Sequence, residues 1–365
     1  MARKDPTHKP KWKWQKTRTG RVADTLRSEV TSGILREGEK LPTYNELSER
    51  FQVSRFTIQN AINQLKSEGF LRSVERGGLF VGGKPPHLHR IALVYQQSPE
   101  NESWPRFNQL LDTSAPSVFK EHQRYSFKRY YNVNRQKGTD GWKQLKDDIR
   151  HRRLAGVIAS LEAVEIFADQ IFRQTTMPLT SLFVPDDHFG IHPNIAMFNS
   201  SYDLFVEKAL NRFQDHHTTR LAWLTIPPVR YGFDYFHAKG FELFDYWLYQ
   251  LPRSPLDLSR KITRLLLEAP RSKRPNALMI ADENLAAGAL QAIQESGLRP
   301  GKDISVVAHM NWPASSKYLD PNVHWLGYHV EDTLAQALNS LNKTEKLKKG
   351  AHYRMSPQFI DELRG

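Results

Sequence analysis

Apolar positions near the N-terminus recur at helical spacing in short segments separated by turn residues. The stretch 22–30 carries apolar residues on one face and predicts a first helix, which Gly33 ends. A second helix is predicted after Leu41-Pro42. Thr43 and Glu46 there have the spacing of a capping box, in which each side chain accepts a backbone amide at the helix start. Only the short turn 52–53 separates this helix from the next.

The third predicted helix begins at Ser54 as N-cap and ends at Gly69. One of its faces is apolar and is expected to be buried: Ile58, Ala61, Ile62 and Leu65. The opposite face is polar and carries amides and a cation: Arg55, Thr57, Gln59, Asn60 and Asn63. Two helices joined by a short turn, the second with a polar outer face, indicate a helix-turn-helix.

A strand pattern follows the helices. Residues 70–74 and 79–81 predict the two strands of a hairpin whose tip is Glu75-Arg76-Gly77-Gly78. The segment 84–89, rich in Pro and His, reads as a linker. We therefore expect a winged helix-turn-helix domain over 18–83.

From residue 90 onward, short apolar runs alternate with amphipathic helical patterns. The candidate strands are 91–95, 155–159, 179–184, 221–226, 277–281 and 304–308, and the candidate helices include 202–213, 235–248, 285–296 and 330–341. This alternation favours an α/β fold with parallel sheets flanked by helices. The region 90–365 is long enough for two lobes, with a ligand cleft expected at the carboxyl ends of the strands.

Charge directs attention to the N-terminal part. The chain of 365 residues has a formal net charge of +13, and up to His87 it holds 17 Lys or Arg against 9 Asp or Glu. An anionic partner is therefore expected there. Residues 1–17 are basic, with Trp12 and Trp14 interspersed, and are predicted to form a disordered tail that either tracks a DNA backbone or is solvated and makes no specific contact.

Other classes of site and location are disfavoured by composition. The chain has no cysteine, which excludes disulfides and thiolate metal sites. It has no apolar run of the length that a membrane span requires, and residues 1–20 carry charges where a signal peptide needs an apolar stretch. We therefore expect a cytoplasmic protein that does not enter membranes.

The polar face of the third helix has the chemistry for reading double-stranded DNA. An arginine at the start of a recognition helix can bond a guanine with two hydrogen bonds, and amides can read adenine. Glycines at the wing tip would let the backbone approach the phosphates, and Arg76 would supply charge. The expected DNA-binding residues are Thr43, Tyr44, Asn45, Ser54, Arg55, Thr57, Gln59, Asn60, Arg76, Gly77 and Gly78. The alternative is that the polar face of the third helix is only the solvated side of an amphipathic helix and has no binding role.

The segment from about Arg18 to Gly82 resembles the GntR-type winged helix. The resemblance rests on spaced matches that include Gly38-Glu-Lys-Leu-Pro42, Glu46-Leu-Ser-Glu-Arg-Phe51, Val53-Ser-Arg55 and Gly78-Leu-Phe-Val81. It implies that the family's serine–arginine pair at the recognition helix falls on Ser54 and Arg55. Asn45 and Gln59 stand where the family often has arginines, so the resemblance does not transfer an operator sequence.

The region from about Arg90 to Gly365 resembles, more diffusely, the LacI/GalR-type effector domain, which is periplasmic-binding-protein-like. The matching segments are Ala155-Gly-Val-Ile158, Gly240-Phe241, Ala281-Asp-Glu-Asn-Leu-Ala-Ala-Gly288, Leu298 to Val307 and Pro357 to Ile360. A GntR-type head on such a body resembles the architecture of arabinose-repressor proteins. The resemblance implies a small-molecule effector, with a sugar as one candidate, bound between two lobes.

The family's polar sugar-binding residues are largely replaced in this chain. Its cleft arginine falls on His237, its asparagine on Asp282, and its aspartate in the stretch His309 to Trp312. The expected effector-binding residues are Trp104, Tyr231, Phe233, His237, Asp282, Asn311 and Trp312. Two plainer interpretations stay open: the aromatic residues can belong to the core, and Asp282 can cap a helix.

The combined expectation is a homodimeric transcription regulator, a repressor, whose operator affinity a small molecule controls. Two alternatives remain. The first is a constitutive architectural DNA-binding dimer with a degenerate cleft, and the second is a regulator that holds pyridoxal phosphate, for which no lysine has a convincing strand-end position. No enzyme motif is visible, and neither His216-His217 nor Asp186-Asp187-His188 has further ligands at metal spacing. We expect no catalytic activity, no cofactor and no metal.

Overall fold

In the computed structural model, the chain is described over ten ranges: 17–101, 104–134, 136–173, 175–182, 195–216, 218–226, 231–252, 257–313, 319–341 and 351–362. The tail predicted for residues 1–17 lies outside them except for Thr17, as do residues 183–184, Asp186-Asp187-His188 and His217. The chain divides into two compact units. Of the described residues, the first contains those up to Arg90 together with Lys146–Ala155, and the second contains the rest. Of the helices described, none is long and apolar enough to cross a membrane.

The first unit contains the predicted helix-turn-helix and wing. Its elements are α1 (Arg18–Thr31), α2 (Tyr44–Phe51), α3 (Arg55–Glu68), β1 (Leu71–Val74) and β2 (Gly78–Val81). The strands are antiparallel, with Leu71 opposite Val81. The residues predicted for the buried face of α3 all lie in the core of this unit, with no exposed surface.

Local signals in the sequence place the helix ends. The Thr43 hydroxyl accepts the backbone N–H of Glu46, and a Glu46 carboxylate oxygen accepts the backbone N–H of Thr43 at 2.7 Å. The predicted capping box is therefore present. The Ser54 hydroxyl accepts the N–H of Thr57 at 3.2 Å, and Gly69 ends α3 with a φ of 90° that favours glycine.

The second unit contains two six-stranded sheets. The order in one sheet is β4-β3-β5-β6-β7-β13, and in the other it is β9-β8-β10-β11-β12-β14. The first sheet comprises β3 (Arg90–Val94), β4 (Ser126–Tyr130), β5 (Gly156–Ala159), β6 (Leu179–Leu182), β7 (Ile195–Ser200) and β13 (His352–Met355). The second comprises β8 (Leu221–Thr225), β9 (Leu248–Gln250), β10 (Ala277–Ile280), β11 (Ser305–His309), β12 (His324–Gly327) and β14 (Gln358–Phe359).

Parallel pairing dominates both sheets, as predicted. The pairs β3–β5, β5–β6, β6–β7 and β7–β13 are parallel, and so are β8–β9, β8–β10, β10–β11 and β11–β12, whereas β12 and β14 are antiparallel. The remaining α-helices are α4 (Arg106–Glu121), α5 (Asp140–Arg150), α6 (Gln170–Arg173), α7 (Tyr202–Asp215), α8 (Phe233–Ala238), α9 (Asp257–Leu267), α10 (Glu283–Glu295) and α11 (Val330–Ser340). Short 3-10 helices cover Pro86–Leu88, Leu161–Ala168 and Asp245–Trp247.

The chain passes between the two sheets three times. The crossings follow β7, β12 and β13: α7 packs on the second sheet, α11 on the first, and β14 joins the second. A hydrogen bond joins two of the crossings: the Tyr328 hydroxyl, after β12, donates to the Ser201 carbonyl, after β7, at 3.1 Å. The Tyr202 hydroxyl lies 2.6 Å from the Thr225 hydroxyl, so the carboxyl end of β7 meets that of β8.

One predicted helix of the second unit is wrong. The pattern 235–248 predicts a continuous helix, but α8 ends at Ala238, and Gly240 adopts a φ of 86° that breaks helical geometry. Leu248 instead begins β9 and pairs with Trp223. The apolar spacing in this stretch reflects burial of Phe241 and Leu243 from irregular backbone and of Trp247 from a short 3-10 helix.

Candidate DNA-binding surface and effector cleft

The amino end of α3 is held in place by contacts to its own cap and to α2. The Ser54 hydroxyl lies 3.0 Å from the Thr57 hydroxyl in addition to accepting its amide. The Arg55 guanidinium lies 5.9 Å from the centre of the Tyr44 ring, a cation–π contact that joins the starts of the two helices. Tyr44, Ser54, Arg55 and Thr57 are thus brought together at one end of the recognition helix.

The outer face of α3 presents amides without competing exposed carboxylates. Gln59 and Asn63 are exposed, and Asn60 is half-buried. The one acidic residue of α3, Glu68, is buried at its far end. This face can therefore donate to and accept from base edges without repelling phosphate.

The three residues predicted to bind DNA at the start of α2, Thr43, Tyr44 and Asn45, differ in how their side chains are engaged. The Thr43 hydroxyl donates to Glu46 at 2.8 Å, so this side chain already serves the capping box. Hydrogen bonds from the Thr43 backbone and hydroxyl lower the pKa of the Glu46 carboxyl. Asn45 is exposed.

The wing tip has the backbone geometry of a tight turn. Arg76 adopts a φ of 55° and Gly78 a φ of 106°, while the Gly77 N–H donates to the Val74 carbonyl at 3.0 Å. A side chain at Gly78 would be strained, and its Cβ would lie 3.1 Å from the Lys40 Cε atom. The predicted wing residues therefore share one turn that exposes backbone and a cation.

Two further cations, which were not predicted from the sequence, flank the wing. Lys40 forms an isolated antiparallel β-bridge with Phe80, and its ammonium lies 6.0 Å from the Phe80 ring centre. The Arg72 guanidinium lies 5.6 Å from the same ring. Both could be suspected only from charge, because the contact of Lys40 depends on its bridge to Phe80 and that of Arg72 on the register that places it opposite Phe80.

A buried cluster of charged residues holds the carboxyl end of α3 in place. Glu68 accepts hydrogen bonds from the Arg27 guanidinium at 2.7 and 3.0 Å and from Gln64 at 3.0 Å. Arg153, in the segment that precedes β5, donates to the same carboxylate at 3.0 Å. Arg27 is also paired with Asp24 at 2.6 Å. These ion pairs set the position of α3 relative to α1.

The strand order of the two sheets indicates where a ligand can bind. In each sheet the order reverses at the first strand, at β3 and β5 in one sheet and at β8 and β10 in the other. Ligands of open α/β sheets bind beyond the carboxyl ends of the strands at such switch points. Of the predicted effector residues, Trp104, Tyr231 and Asp282 lie on segments that follow these strands.

On the first sheet, Trp104 belongs to an aromatic cluster. Its ring centre lies 5.3 Å from that of Tyr95, which follows β3, and 6.1 Å from that of Tyr131. The Tyr131 hydroxyl donates to Asp112 at 2.8 Å, and Arg129 donates to the same carboxylate at 2.7 Å. Burial, with the bond to Asp112, raises the pKa of Tyr131 to about 12.

On the second sheet, Tyr231 packs against Trp223 and Tyr235, with ring centres 6.3 and 4.8 Å away. Its hydroxyl donates to Asp203 in a short hydrogen bond. Burial and that bond raise its pKa. Phe233 is half-buried against the same core, whereas His237 is exposed and lies 3.3 Å from the Leu243 carbonyl.

Of the remaining three predicted effector residues, Asp282 and Asn311 already have side-chain partners within the protein. Asp282 caps α10, because its carboxylate accepts the Asn284 amide at 2.9 Å. Asn311 is buried and donates to Glu283 at 3.0 Å. The backbone N–H of Trp312 donates to the Tyr328 carbonyl at 2.8 Å, which fixes the Trp312 backbone but does not involve its indole ring.

Several buried polar atoms on the strands or on the segments that follow them have no hydrogen-bond partner among the described residues. They are the side-chain oxygens of Ser160, Thr180 and Ser181, both ring nitrogens of His309, and the indole nitrogens of Trp223 and Trp312. His309 ends β11 and contacts Phe205 and Tyr328 edge to face. Because such atoms normally bond to water or a ligand, they are further candidates for the effector site. Within the described ranges, no cluster of three or more His, Asp or Glu could hold a metal ion.

Comparison with known families matches part of each unit. Residues 18–81 match the model for bacterial regulatory proteins of the gntR family, and residues 234–355 match the periplasmic binding protein-like domain. The arabinose metabolism transcriptional repressor of Geobacillus stearothermophilus is 37% identical over 57 residues, which are 16% of this chain and 16% of that protein. The mannosyl-D-glycerate transport/metabolism system repressor of Escherichia coli (strain K12) is 34% identical over 74 residues, which are 20% and 28% of the two chains. The chain thus spans less than a third of the length of these curated relatives.

Solved structures agree with the fold of the second unit. A regulatory protein of the LacI family from Chloroflexus aggregans superimposes with a TM-score of 0.57 and 18% identity, over 74% of this chain and 96% of that chain. A LacI family transcriptional regulator from Lactobacillus casei, with bound glucose, gives a TM-score of 0.54 and 14% identity over 74% and 97%. The chain therefore combines an N-terminal helix-turn-helix domain of the gntR type with a periplasmic-binding-protein-like domain that has the fold of LacI-family regulators.

Proposed function

We propose that the protein is a sequence-specific DNA-binding repressor whose affinity for its operator is controlled by a small molecule. The observation that carries this proposal is the pairing, in one chain, of the gntR-type head with the periplasmic-binding-protein-like body. The head presents Arg55 and the amides of α3 on an outer face free of exposed carboxylates, which suits reading base edges.

We propose a homodimer as the DNA-binding species in the cytoplasm. One winged helix covers a short half-site, whereas two related by two-fold symmetry match a palindromic operator and double the contact area. Light scattering of the full chain at micromolar concentration, with and without DNA, tests this. A monomer under both conditions would exclude it.

Arg55 is proposed to read a base rather than only a phosphate. The Arg55→Ala variant should then lose about 1 to 3 kcal/mol of preference for the selected duplex over a random one, while affinity for the random duplex changes little. Fluorescence anisotropy on both duplexes measures this, and Arg76→Ala at the wing serves as a comparison because it should weaken both equally. Equal loss on both duplexes for Arg55→Ala would make it a phosphate contact.

A sugar is the effector class that we propose to test first. The Lactobacillus casei regulator of similar fold was solved with glucose bound. In this chain, Ser160 follows β5 and His309 ends β11, and both carry buried polar atoms without protein partners. Trp104, Tyr231 and Trp312 supply aromatic groups. Sugar binding requires both paired polar groups and an apolar face. A thermal-shift screen of sugars and sugar acids on the full chain should identify compounds that raise the melting temperature of the second unit.

A constitutive architectural DNA-binding role is the second candidate. It is favoured by the way Asp282 and Asn311 bond within the protein, as helix cap and as partner of Glu283. On this alternative, no sugar would shift the melting temperature and DNA affinity would be independent of added compounds. A compound that both raises the melting temperature and weakens operator binding would exclude it.

A further inference from the structure

The recognition helix carries an apolar side chain where its polar neighbours face outward. Phe56 is the second residue of α3 and is 74% exposed, the most exposed of the large hydrophobic side chains in the described ranges. Its neighbours on the same helix face, at the i+3, i+4 and i+7 positions, are Gln59, Asn60 and Asn63. Single exposed apolar residues are common on protein surfaces, so exposure alone does not make Phe56 a contact site.

The surroundings of Phe56 suit a groove of DNA better than a protein surface. Arg55 precedes it, and the amides that follow on its face can bond base edges. The adjoining wing adds cations at Lys40, Arg72 and Arg76. A basic, amide-rich surface is complementary to DNA. The first turn of the second helix in a helix-turn-helix is also the part that enters the major groove.

The major groove offers one prominent apolar group, the C5-methyl of thymine, and phenylalanine is among the side chains that contact it. On the basis of the proposed function, we propose that Phe56 packs against a thymine methyl group in each half-site and so determines part of the operator sequence. The neighbouring amides of Gln59 and Asn60 then read adenines nearby. The site is a contact for a pyrimidine methyl group, not for the phosphate backbone.

The size of the effect follows from the buried group. Burying one methyl group corresponds to about a fourfold change in affinity. Replacing the contacted thymine by deoxyuridine removes only that methyl and keeps all hydrogen-bonding edges. Wild-type protein should therefore lose about fourfold in affinity at one thymine position per half-site and little at the others.

The test uses the full chain and the duplex that the wild-type protein selects from a random pool, with copies in which single thymines are replaced by deoxyuridine. Fluorescence anisotropy is measured for wild type, Phe56→Ala and the control Ile34→Ala, which truncates a 70% exposed side chain outside α3. Phe56→Ala should bind the thymine and deoxyuridine duplexes equally, at the affinity of wild type for the deoxyuridine duplex. Ile34→Ala should keep the wild-type ratio.

The outcomes separate this inference from the function on which it rests. If a duplex is selected but wild type is indifferent to every thymine methyl, or Phe56→Ala keeps the wild-type ratio, Phe56 is not the methyl contact and the regulator proposal stands. If no duplex is selected over random DNA, both fail. The inference is supported if Phe56→Ala, but not Ile34→Ala, loses the difference in affinity between the thymine and deoxyuridine duplexes. Phe56→Ala should still prefer the selected duplex over random DNA, because Arg55 is intact.

Discussion

The carboxylate of Glu68 is expected to be the most sensitive single point in the DNA-binding unit. It is 9% exposed and accepts hydrogen bonds from Arg27, Gln64 and Arg153. The Glu68→Gln change keeps the shape of the side chain but removes the charge and turns one acceptor oxygen into a donor, which then faces guanidinium groups. Arg27, only 3% exposed, would lose its main counter-ion.

The expected cost can be worked from these contacts. Removing one partner of a buried ion pair typically costs about 3 to 5 kcal/mol, because the other charge stays buried. Arg27 keeps Asp24 at 2.6 Å and Arg153 keeps Asp148 at 2.5 Å, which offsets part of the loss. We expect the free energy of opening of α1 and α3 to fall by about 3 kcal/mol.

Hydrogen exchange measured by mass spectrometry on the full chain reports this locally. Amides of α1 and α3 should exchange more than a hundredfold faster in Glu68→Gln, since each 1.4 kcal/mol corresponds to about tenfold. Glu49→Gln, at an exposed carboxylate on α2, is the matched control and should change exchange little. The double mutant with Arg153→Met should show a coupling of about 1 kcal/mol or more. A loss below about 1 kcal/mol for Glu68→Gln would refute the reasoning.

Three further changes are expected to have distinct signatures. Gly78→Val should weaken binding to all duplexes without loss of helix content, measured by anisotropy and circular dichroism, because the φ of 106° disfavours any side chain. Ile62→Ala should lower the opening free energy of α3 by about 2 to 5 kcal/mol in hydrogen exchange, since the side chain has no exposed surface. Burial lowers the pKa of His324 to about 4 from its ordinary value of 6.5. Stability is therefore lost as the pH falls from about 6.5 to about 4, by at most ~2 kcal/mol after solvent screening. In His324→Asn, the melting temperature of the second unit should depend less on pH over that window. The same pH dependence as in wild type would show that His324 is not the titrating group.

Elements marked by local chemistry were predicted from the sequence. Thr43 and Ser54 cap the starts of α2 and α3, and Gly69 ends α3, through contacts with residues a few positions away in the chain. The ends of these helices could therefore be predicted from the sequence. The parallel sheets were predicted because buried strands read as continuous apolar runs. The strand at Ser126–Tyr130 was missed because it is at a sheet edge and only half-buried, with Lys and Arg in its sequence.

Features that depend on distant pairing were not predictable in the same way. The ion pair of Glu68 with Arg153 joins residues 85 positions apart, and the contact of Lys40 with Phe80 requires the bridge between them. Hydrophobic spacing also failed over 235–248, because a glycine with positive φ ended the helix where the apolar pattern continued. In the cleft, sequence reasoning named Asp282 and Asn311 but could not foresee that helix capping and Glu283 would occupy their hydrogen-bonding groups.

The central claim, that this chain recognises a DNA sequence, is tested most directly by one affinity ratio. The full chain is titrated, at a fixed salt concentration near physiological, against the duplex that it selects from a random pool and against a scrambled duplex of the same composition. Specific regulators bind their site at least about a thousandfold more tightly than other DNA. A ratio of that size is the expected result, and equal affinity for the two duplexes would contradict the account.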